Sequence, residues 1–460
     1  MARWRRPIGK LTLVNDSLLI VLSVVRDSDL RIWSPFAVVL ILTIMSGSAA
    51  AAPPDGVDCS TLSRKVMCGY QGWFNCPGDG SGLGWNHWSR HRHRDLFGPG
   101  NARIDLWPDV TELDADERFD TEFRRADGAT AEVFSSAHPK TVARHFRWMR
   151  DYGIDGAFIQ RFSSGLHQAN RRRHKDRVLT HARQGAERFG RAFAVMYDLS
   201  GMQTGTLDQV RDDWRGLRSK QKITCSPAYL HHHGKPLLAL WGVGFIDRHK
   251  GNQYTLDDCR KLTVDLRASG CSIMLGVPTG WRELNRDAVD DSQLLEITQM
   301  ADVISPWTPG RYCTPQDVRR HANASWLPDR RWCNSRGQDY LPVVFPGFSW
   351  HHLRNGESEL DQIPRLGGQF LWSQIVAAKH IGADMIYVAM FDEMDEGTAI
   401  FKCTNEPPVG EDFRFLTYEG FPSDHYLRIA GSAGKILRDE LPATDTLPQM
   451  DPVSKPITDS

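Results

Sequence analysis

Short apolar stretches recur along most of the chain, and each is followed by a polar turn and a stretch with helical periodicity. The apolar stretches begin at Val66, Gly153, Arg191, Lys235, Cys271, Ala301, Tyr340 and Ala383. Their length and their β-branched content predict buried strands. After the first of them, Val142, Phe146 and Met149 fall on one face of a predicted amphipathic helix.

This alternation of strand and helix predicts the fold. Strands joined by helical crossovers pair in parallel, in either an open sheet or a closed barrel. Eight such units between residues 66 and 393 match a barrel, and no glycine-rich phosphate-binding turn follows the first strand. We therefore predict an α/β fold, a (β/α)8 TIM barrel with elaborated loops, as one domain over residues 53–440. The long insertion 75–137 would form the first loop.

The two ends of the chain depart from this pattern. Residues 1–52 start with a basic segment, contain the apolar run 35–45 and offer cleavage options around Ala50 to Ala52. They are typical of a signal peptide, or of an N-terminal membrane anchor if they stay uncleaved. We therefore predict a secreted or periplasmic protein. The polar, proline-containing residues 441–460 predict a disordered tail.

The overall charge excludes some classes of partner. The 460 residues include 56 Lys and Arg against 56 Asp and Glu, a formal net charge of zero. Binding to nucleic acid or to an anionic membrane surface by bulk electrostatics needs a basic excess. We therefore predict no nucleic acid and expect an uncharged partner. The 15 Trp residues suit either a large core or surfaces that stack on sugar rings.

The nine cysteines are consistent with export, but no two are spaced Cys-x-x-Cys. This spacing argues against a zinc ribbon and a thioredoxin-type site. Cys68 and Cys271 lie inside apolar runs, which predicts buried thiols. Cys313 and Cys333 flank a loop-like stretch and are a candidate disulfide.

Three other groups of polar residues are interpreted as structural and not as catalytic or metal-binding. The histidine triplet 231–233 lacks a carboxylate or cysteine at ligand spacing and precedes a strand, so we predict neither a metal site nor a cofactor. The basic stretch 171–175 predicts a solvent-exposed helix face. Asp155 stands at the start of a strand, where a barrel presents its non-catalytic face, and we predict a structural role.

The eighth predicted strand runs directly into four carboxylates, Asp392, Glu393, Asp395 and Glu396. Catalytic groups of such barrels lie where strands end, and Glu393 and Glu396 share one side if the turn is helical. Two carboxylates that flank one bond suit glycosidic cleavage, which needs a proton donor and a base or nucleophile. The alternative is that Asp392, Asp395 and Glu396 cap the next helix. A cap needs one acid rather than four, which favours a catalytic pair.

The other strand ends carry aromatic side chains mixed with hydrogen-bonding groups. Such a mixture suits stacking walls and hydroxyl contacts in a sugar pocket, although packing explains many single aromatic residues. The residues concerned are Tyr70, Gln71, Trp73, Phe74, Trp85, His87, Trp88, Gln160, Arg161, Phe162, Tyr197, Asp198, Trp241, Trp307, Phe348, Trp350, His351 and His352.

Five segments together resemble glycoside hydrolase family 99. They are GYQGWFNCPGDGSGLGWNHWS from Gly69, FSSAHPKTVARHFRWMRDYGIDGAFIQ from Phe134, KPLLALWG from Lys235, FPGFSWHHLRNG from Phe345 and FDEMDEGTAIF from Phe391. The resemblance extends from about Met67 to Phe401. Its most specific element is Glu393-x-x-Glu396-Gly-Thr, which is similar to the Glu-Trp-His-Glu-Gly-Thr of that family.

The resemblance implies a retaining glycosidase that acts on an α-linked polymer or oligosaccharide. Glu393 would act as a base on the 2-hydroxyl of the sugar, giving a 1,2-anhydro intermediate, and Glu396 would be the acid/base. Glu396 should then have the raised pKa and Glu393 the charge. The candidate substrate-binding residues are Tyr70, Trp73, His87, Trp88, Gln160, Tyr197, Asp198, Trp241, Trp307, His351, His352 and Arg354.

One departure from the family pattern bears on specificity. Met394 and Asp395 replace the Trp-His between the two glutamates. Related sequences of the family 71/99-like type are described as xylosidases or arabinosidases, which is one alternative. A carbohydrate-binding barrel that has lost hydrolysis is the other.

Overall fold

A closed barrel of parallel strands forms the centre of the molecule. The computed structural model describes residues 56–90, 96–410 and 413–449. Within these ranges the barrel strands are β1 Val66–Tyr70, β4 Gly156–Phe162, β5 Ala192–Asp198, β7 Lys235–Trp241, β8 Ser272–Val277, β9 Val303–Pro306, β10 Asp339–Tyr340, β11 Val343–Val344 and β12 Ile386–Val388. Two antiparallel additions are the hairpin of β2 Arg118–Arg124 with β3 Thr130–Phe134, and β6 His231–His232, which pairs with β7.

The strands follow the order β10-β9-β8-β7-β5-β4-β1-β12-β11, and the neighbours along this order pair in parallel. β10 and β11 are two halves of the seventh barrel strand, interrupted near Pro342, which has no N–H to donate. The first half pairs with β9, and the second half pairs with β12. The seventh strand thus closes the barrel, and the predicted (β/α)8 architecture is confirmed.

Helices surround the barrel. They are α1 Pro139–Tyr152, α2 Ala169–Phe189, α3 Asp208–Ser219, α4 Leu256–Ala268, α5 Gln293–Thr298, α6 Pro315–His321, α7 Leu327–Asn334, α8 Gln369–His380 and α9 His425–Leu437. α1 begins at a proline and ends at Gly153, whose φ of 76° suits a residue without a Cβ. Val142, Phe146 and Met149 of α1 are all buried, as the periodicity predicts.

The insertion after β1 contains the β2–β3 hairpin, which is the elaboration predicted for residues 75–137. Asp155 has the structural role predicted for it. Its carboxylate accepts the Val66 amide proton at 2.8 Å and lies 3.4 Å from the Arg438 guanidinium, so it ties β1 to the last helix.

The cysteine predictions have mixed outcomes. Cys68 and Cys271 are buried, as expected. The Cys313–Cys333 disulfide is not formed: both thiols are free, with Cys313 exposed and Cys333 buried at the end of α7. A loop-like sequence spacing did not bring the two sulfurs together, because helices α6 and α7 occupy the chain between them.

The ordered chain continues past the boundary predicted at residue 440. The Trp372 indole donates to the Thr444 carbonyl at 2.8 Å, and the Leu447 amide donates to the Gln369 side chain at 3.3 Å. These contacts hold the segment 441–449 against α8, although the segment itself forms neither a helix nor a strand. The predictions for residues 450–460 and for the signal segment 1–52 fall outside the described residues. In the described part of the chain, no helix has the length and apolarity needed to cross a membrane.

Candidate active site

A cleft opens at the carboxyl ends of the barrel strands and has a volume of about 580 Å³. Glu393 and Glu396 both line it, as predicted from their position after the last strand. Seven aromatic side chains form much of the remaining wall: Trp73, Phe162, Trp241, Phe245, Trp307, Phe348 and Trp350. This is the end of the barrel where loops supply catalytic groups in (β/α)8 enzymes.

The four carboxylates after β12 divide into two pairs with different roles. Asp392 is fully buried and accepts the backbone amide protons of Gln71 and Gly72 at 2.7 and 2.8 Å. Asp395 is also buried and contacts His87 Nδ1 at 2.9 Å and Arg103 Nε at 3.2 Å. These aspartates therefore hold the loops that surround the cleft.

The two glutamates remain for chemistry. The segment after β12 is a turn and not a helix, so the helix-capping alternative does not apply. Glu393 is 3% exposed and accepts a hydrogen bond from the side-chain amide of Gln71, with Nε2 to Oε1 at 2.9 Å. Glu396 is half-buried and faces the same cleft.

Both glutamates bind protons unusually tightly. Burial, together with the charges of Glu396, Asp395 and Asp392, raises the pKa of Glu393 well above its ordinary value. Burial and Asp395 raise the pKa of Glu396 to about 7. The raised pKa expected for Glu396 is found, and the pKa of Glu393 is raised as well, so the pKa shifts do not single out Glu393 as the charged member of the pair. The physical reason is the depth of Glu393 among other carboxylates.

The polar lining offers hydrogen bonds to sugar hydroxyl groups. Gln160 donates to the Tyr387 hydroxyl at 3.1 Å, which orients its amide. Among the described residues, the side-chain oxygens of Gln71 and Gln160 have no partner, so both can accept a hydroxyl proton. Asp198 accepts the Ser200 amide proton at 2.7 Å, and burial raises the pKa of Asp198 to about 6.

The aromatic wall is held by contacts between rings. Trp73 stacks on His87 with centroids 3.8 Å apart, and Trp241 meets Trp307 edge to face at 5.4 Å. In the part of the chain that the structure describes, the indole N–H groups of Trp73 and Trp241 lack acceptors, whereas the indole of Trp350 is directed at the Glu396 carboxyl group. An indole with a free N–H in a cleft can stack on a sugar ring and also donate to a hydroxyl.

Six of the predicted substrate-binding residues line this cleft and six do not. The six in the cleft are Trp73, His87, Gln160, Asp198, Trp241 and Trp307. Tyr70, Trp88 and Tyr197 are fully buried outside the cleft lining. Tyr70 contacts His145 at 2.9 Å, and Tyr197 donates to Asp213 of α3 at 2.5 Å.

Strand alternation explains the error at Tyr197. Successive side chains point to opposite faces of a strand, so a residue next to a cleft residue faces the surrounding helices. Asp198 lines the cleft, and its neighbour Tyr197 therefore meets α3. Gln160 and Arg161 show the same division, because Arg161 pairs with Asp213 at 2.7 Å.

His351, His352 and Arg354 are also outside the cleft lining. Asp105 accepts both backbone amide protons of the two histidines at 2.9 Å, and it contacts His352 Nδ1 at 2.6 Å. Arg354 is exposed and stacks on Trp350, 4.6 Å from the ring centroid. These residues shape the loop that presents Trp350 and do not reach the cleft themselves.

Gln71, Phe348 and Trp350 line the cleft, as predicted from their positions at strand ends, although they are not among the twelve substrate-binding candidates. The basic stretch 171–175 was predicted to face solvent, and this is wrong for three of its members. His174 is buried and contacts the Gly72 carbonyl at 2.9 Å, while Arg171 and Lys175 line the cleft.

The fold brings a carboxylate next to the histidine triplet, although none lies at ligand spacing in the sequence. His232, His233 and Asp339 come together at the opposite end of the barrel, a geometry that can hold a metal ion. However, the Leu62 amide donates to His232 Nδ1 at 3.2 Å, which leaves the ring proton on Nε2, 2.8 Å from Asp339. Because both ring nitrogens of His232 are engaged, we interpret this group as a structural hydrogen-bond network.

Comparisons with known proteins agree with this architecture. No protein-family model and no curated protein sequence matches the chain. Among solved structures, a GH99 endo-α-mannosidase from Bacteroides thetaiotaomicron in complex with BIS-TRIS-propane is similar, with 18% identity, 83% of this chain and 99% of that chain covered, and a TM-score of 0.56. A second structure of GH99 endo-α-mannosidase from Bacteroides thetaiotaomicron has 16% identity, coverage of 82% and 99%, and a TM-score of 0.58.

These neighbours confirm the resemblance at the level of fold. The chain has a fold like that of family 99 glycoside hydrolases. Neither neighbour is a xylosidase or an arabinosidase, so that alternative gains no support.

Proposed function

We propose that the protein is a glycoside hydrolase that cleaves an α-linked poly- or oligosaccharide with Glu393 and Glu396. The observation that carries this proposal is the joint presence of these two carboxyl groups, both with raised pKa, in one aromatic-lined cleft. Perturbed carboxyl groups that converge in a cleft are typical of acid/base chemistry. The family 99-like fold supports the same class of reaction.

The proposed mechanism retains anomeric configuration through the 2-hydroxyl of the sugar. Glu393 takes the proton of that hydroxyl as its oxygen attacks C1, and Glu396 gives a proton to the departing glycosidic oxygen. Glu396 then takes a proton from water, which attacks C1 and opens the 1,2-anhydro ring. When the anhydro ring opens, its oxygen on C2 recovers a proton from Glu393 and becomes the 2-hydroxyl again. Both carboxyl groups thereby return to their starting states.

The reaction requires one proton on the glutamate pair. With two protons the pair lacks a base, and with none it lacks an acid. The raised pKa of both glutamates favours keeping a proton on the pair, and the mechanism needs that proton on Glu396. A proton on Glu393 and a proton on Glu396 give the pair the same total charge, so a sugar that donates its 2-hydroxyl to Glu393 favours the productive form without a proton from solvent.

Sugar recognition is assigned to the cleft aromatics. Trp73, Trp241, Trp307 and Trp350 supply stacking faces around the two glutamates. Asp395 replaces a neutral or basic partner of the family pattern; its carboxylate pairs with His87 and Arg103 and does not line the cleft, and its charge acts on the cleft by raising the pKa of both glutamates. The substitution between the glutamates is therefore compatible with retained chemistry.

Secretion or periplasmic location belongs to the same proposal. It is supported by the signal-like residues 1–52. Expression of the full chain in its source cells, followed by N-terminal sequencing of the exported protein, tests it. A protein that stays in the cytosol with an intact N-terminus would contradict this location.

A hydrolysis screen tests the enzymatic proposal. The full chain is incubated with α-mannans, α-glucans, xylans and arabinans, beside Glu396→Gln, and released sugar is measured. We expect release from an α-linked glycan by the parent protein only. Binding of a glycan by both proteins without any release would instead favour the carbohydrate-binding barrel.

A further inference from the structure

Two cationic side chains of α2 reach into the cleft. Arg171 and Lys175 stand one helical turn apart, and both line the cavity that contains Glu393 and Glu396. Both pack against Gly165, in the turn after β4: a Cβ there would lie 3.0 Å from Lys175 Nζ and 3.2 Å from Arg171 Cδ. Both side chains therefore lie close to this turn at the edge of the cleft.

Other cations near the cleft have acidic partners. Arg103 pairs with Asp395 at 3.2 Å, Arg248 with Asp247 at 3.6 Å, and Arg311 with Asp287 at 3.0 Å. These residues add no uncompensated charge.

Arg171 and Lys175 differ from those cations. The nearby carboxylates of Asp176 and Asp213 are taken by Arg161, at 2.9 and 2.7 Å. Among the described residues, neither Arg171 nor Lys175 has a carboxylate oxygen within 4.0 Å. Burial and the like charges of Arg161 and Arg171 lower the pKa of Lys175 to about 8. Arg161, Arg171 and Lys175 together outnumber Asp176 and Asp213 by one positive charge, and Arg171 and Lys175 are the two cations of this group that no carboxylate of the described residues contacts.

We infer that the cleft binds a glycan with an oxyanion substituent, a uronic acid carboxylate or a sulfate ester, held by Arg171 and Lys175. The inference rests on the proposed function in one respect, that a sugar occupies this cleft. Guanidinium and ammonium groups are strong donors to such oxyanions. The hydroxyl groups of Ser164 and Ser200 line the same cleft and add neutral donors.

This inference replaces the expectation of an uncharged partner. That expectation came from a formal net charge of zero over the whole chain. A net charge of zero does not describe the local field in a cleft, where two cations can stand without acids beside them.

Binding of small sugars to the full chain tests the inference. The probes are glucuronic acid, glucose 6-sulfate and glucose, with dissociation constants measured by calorimetry or NMR titration. We expect each acidic probe to bind about tenfold more tightly than glucose, with a preference that shrinks as salt is added. The tighter of the two acidic probes identifies the oxyanion as carboxylate or sulfate.

Substitutions on the same helix provide matched controls. Lys175→Gln should remove most of the preference for acidic probes, measured as the ratio of the dissociation constants of glucose and of each acidic probe in the same variant, and Lys175→Arg should restore that ratio. Arg173→Gln removes the same charge from an exposed position outside the cleft lining and should change nothing. Equal affinity of wild type for acidic and neutral probes would overturn the inference. An equal loss of preference in Lys175→Gln and Arg173→Gln would also overturn it.

The two proposals fail in distinguishable ways. A preference for acidic probes that depends on Lys175, in a protein that hydrolyses nothing, supports this inference and contradicts the hydrolase. Hydrolysis of glycans without any preference for acidic probes does the reverse.

Discussion

Glu396→Gln should stabilise the folded protein at alkaline pH. Burial and Asp395 raise the pKa of Glu396 from 4.5 to about 7, so the native state binds this proton more tightly than the unfolded chain. The resulting stabilisation is complete below about pH 4.5 and is lost as the pH rises through about 7. A difference of about 2.5 in pKa corresponds to about 3 kcal/mol in the free energy of unfolding. This is an upper limit, because Glu396 is partly exposed to water in the cleft.

Urea unfolding at two pH values measures the effect. Relative to wild type, Glu396→Gln should gain about 1 kcal/mol or less at pH 5 and up to about 3 kcal/mol at pH 8. Glu296→Gln, at an exposed position on α5, is the matched control and should change stability little at either pH. A gain that is the same at pH 5 and pH 8 would refute the argument that an ionised Glu396 destabilises the fold.

Three further predictions follow from the site. On any substrate found, kcat/KM should fall as the pH drops below about 7, because a doubly protonated glutamate pair has no base; a profile that stays flat down to pH 5 would contradict this. Trp307→Ala should weaken binding of that substrate, measured by calorimetry, because Trp307 lines the cleft. Tyr197→Phe should leave binding unchanged but lower the free energy of unfolding in urea by about 1 kcal/mol, because the lost hydroxyl group donates to Asp213. Added zinc or a chelator should leave the Tm unchanged, because His232 already uses both ring nitrogens; a rise in Tm with zinc would show a metal site.

The fold could be predicted from the sequence because strands and helices have different hydrophobic periodicities, and these two patterns alternate along the chain. The eight apolar stretches became the barrel strands, including a seventh strand whose two halves pair with different neighbours. The position of Glu393 and Glu396 in the cleft also followed from the sequence, since they come directly after the last strand.

The substrate-binding residues were harder to predict because a strand end does not fix which side chain points inward. Tyr197 and Asp198 are adjacent, and only Asp198 lines the cleft. Contacts across the fold were also invisible in the sequence. Asp339 reaches His232 from 107 positions away, and Arg171 and Lys175 turn toward the cleft from a helix whose composition suggested solvent.

The raised pKa of Glu393 could not be derived from the motif alone. The resemblance placed the charge on Glu393, but this side chain lies deeper than Glu396 and is surrounded by other carboxylates. Burial depth depends on the packed turn 392–397 and not on the order of residues within it.

The most direct test of the account is the rate of sugar release by wild type, Glu393→Gln and Glu396→Gln on one substrate, beside Glu296→Gln. Each cleft variant should lose about 100-fold or more in kcat while remaining folded, because each substitution removes a group that transfers a proton. The exposed control should keep the wild-type rate. Near-normal release by either Glu393→Gln or Glu396→Gln, with folding intact, would contradict the central claim that this pair of glutamates cleaves the glycosidic bond.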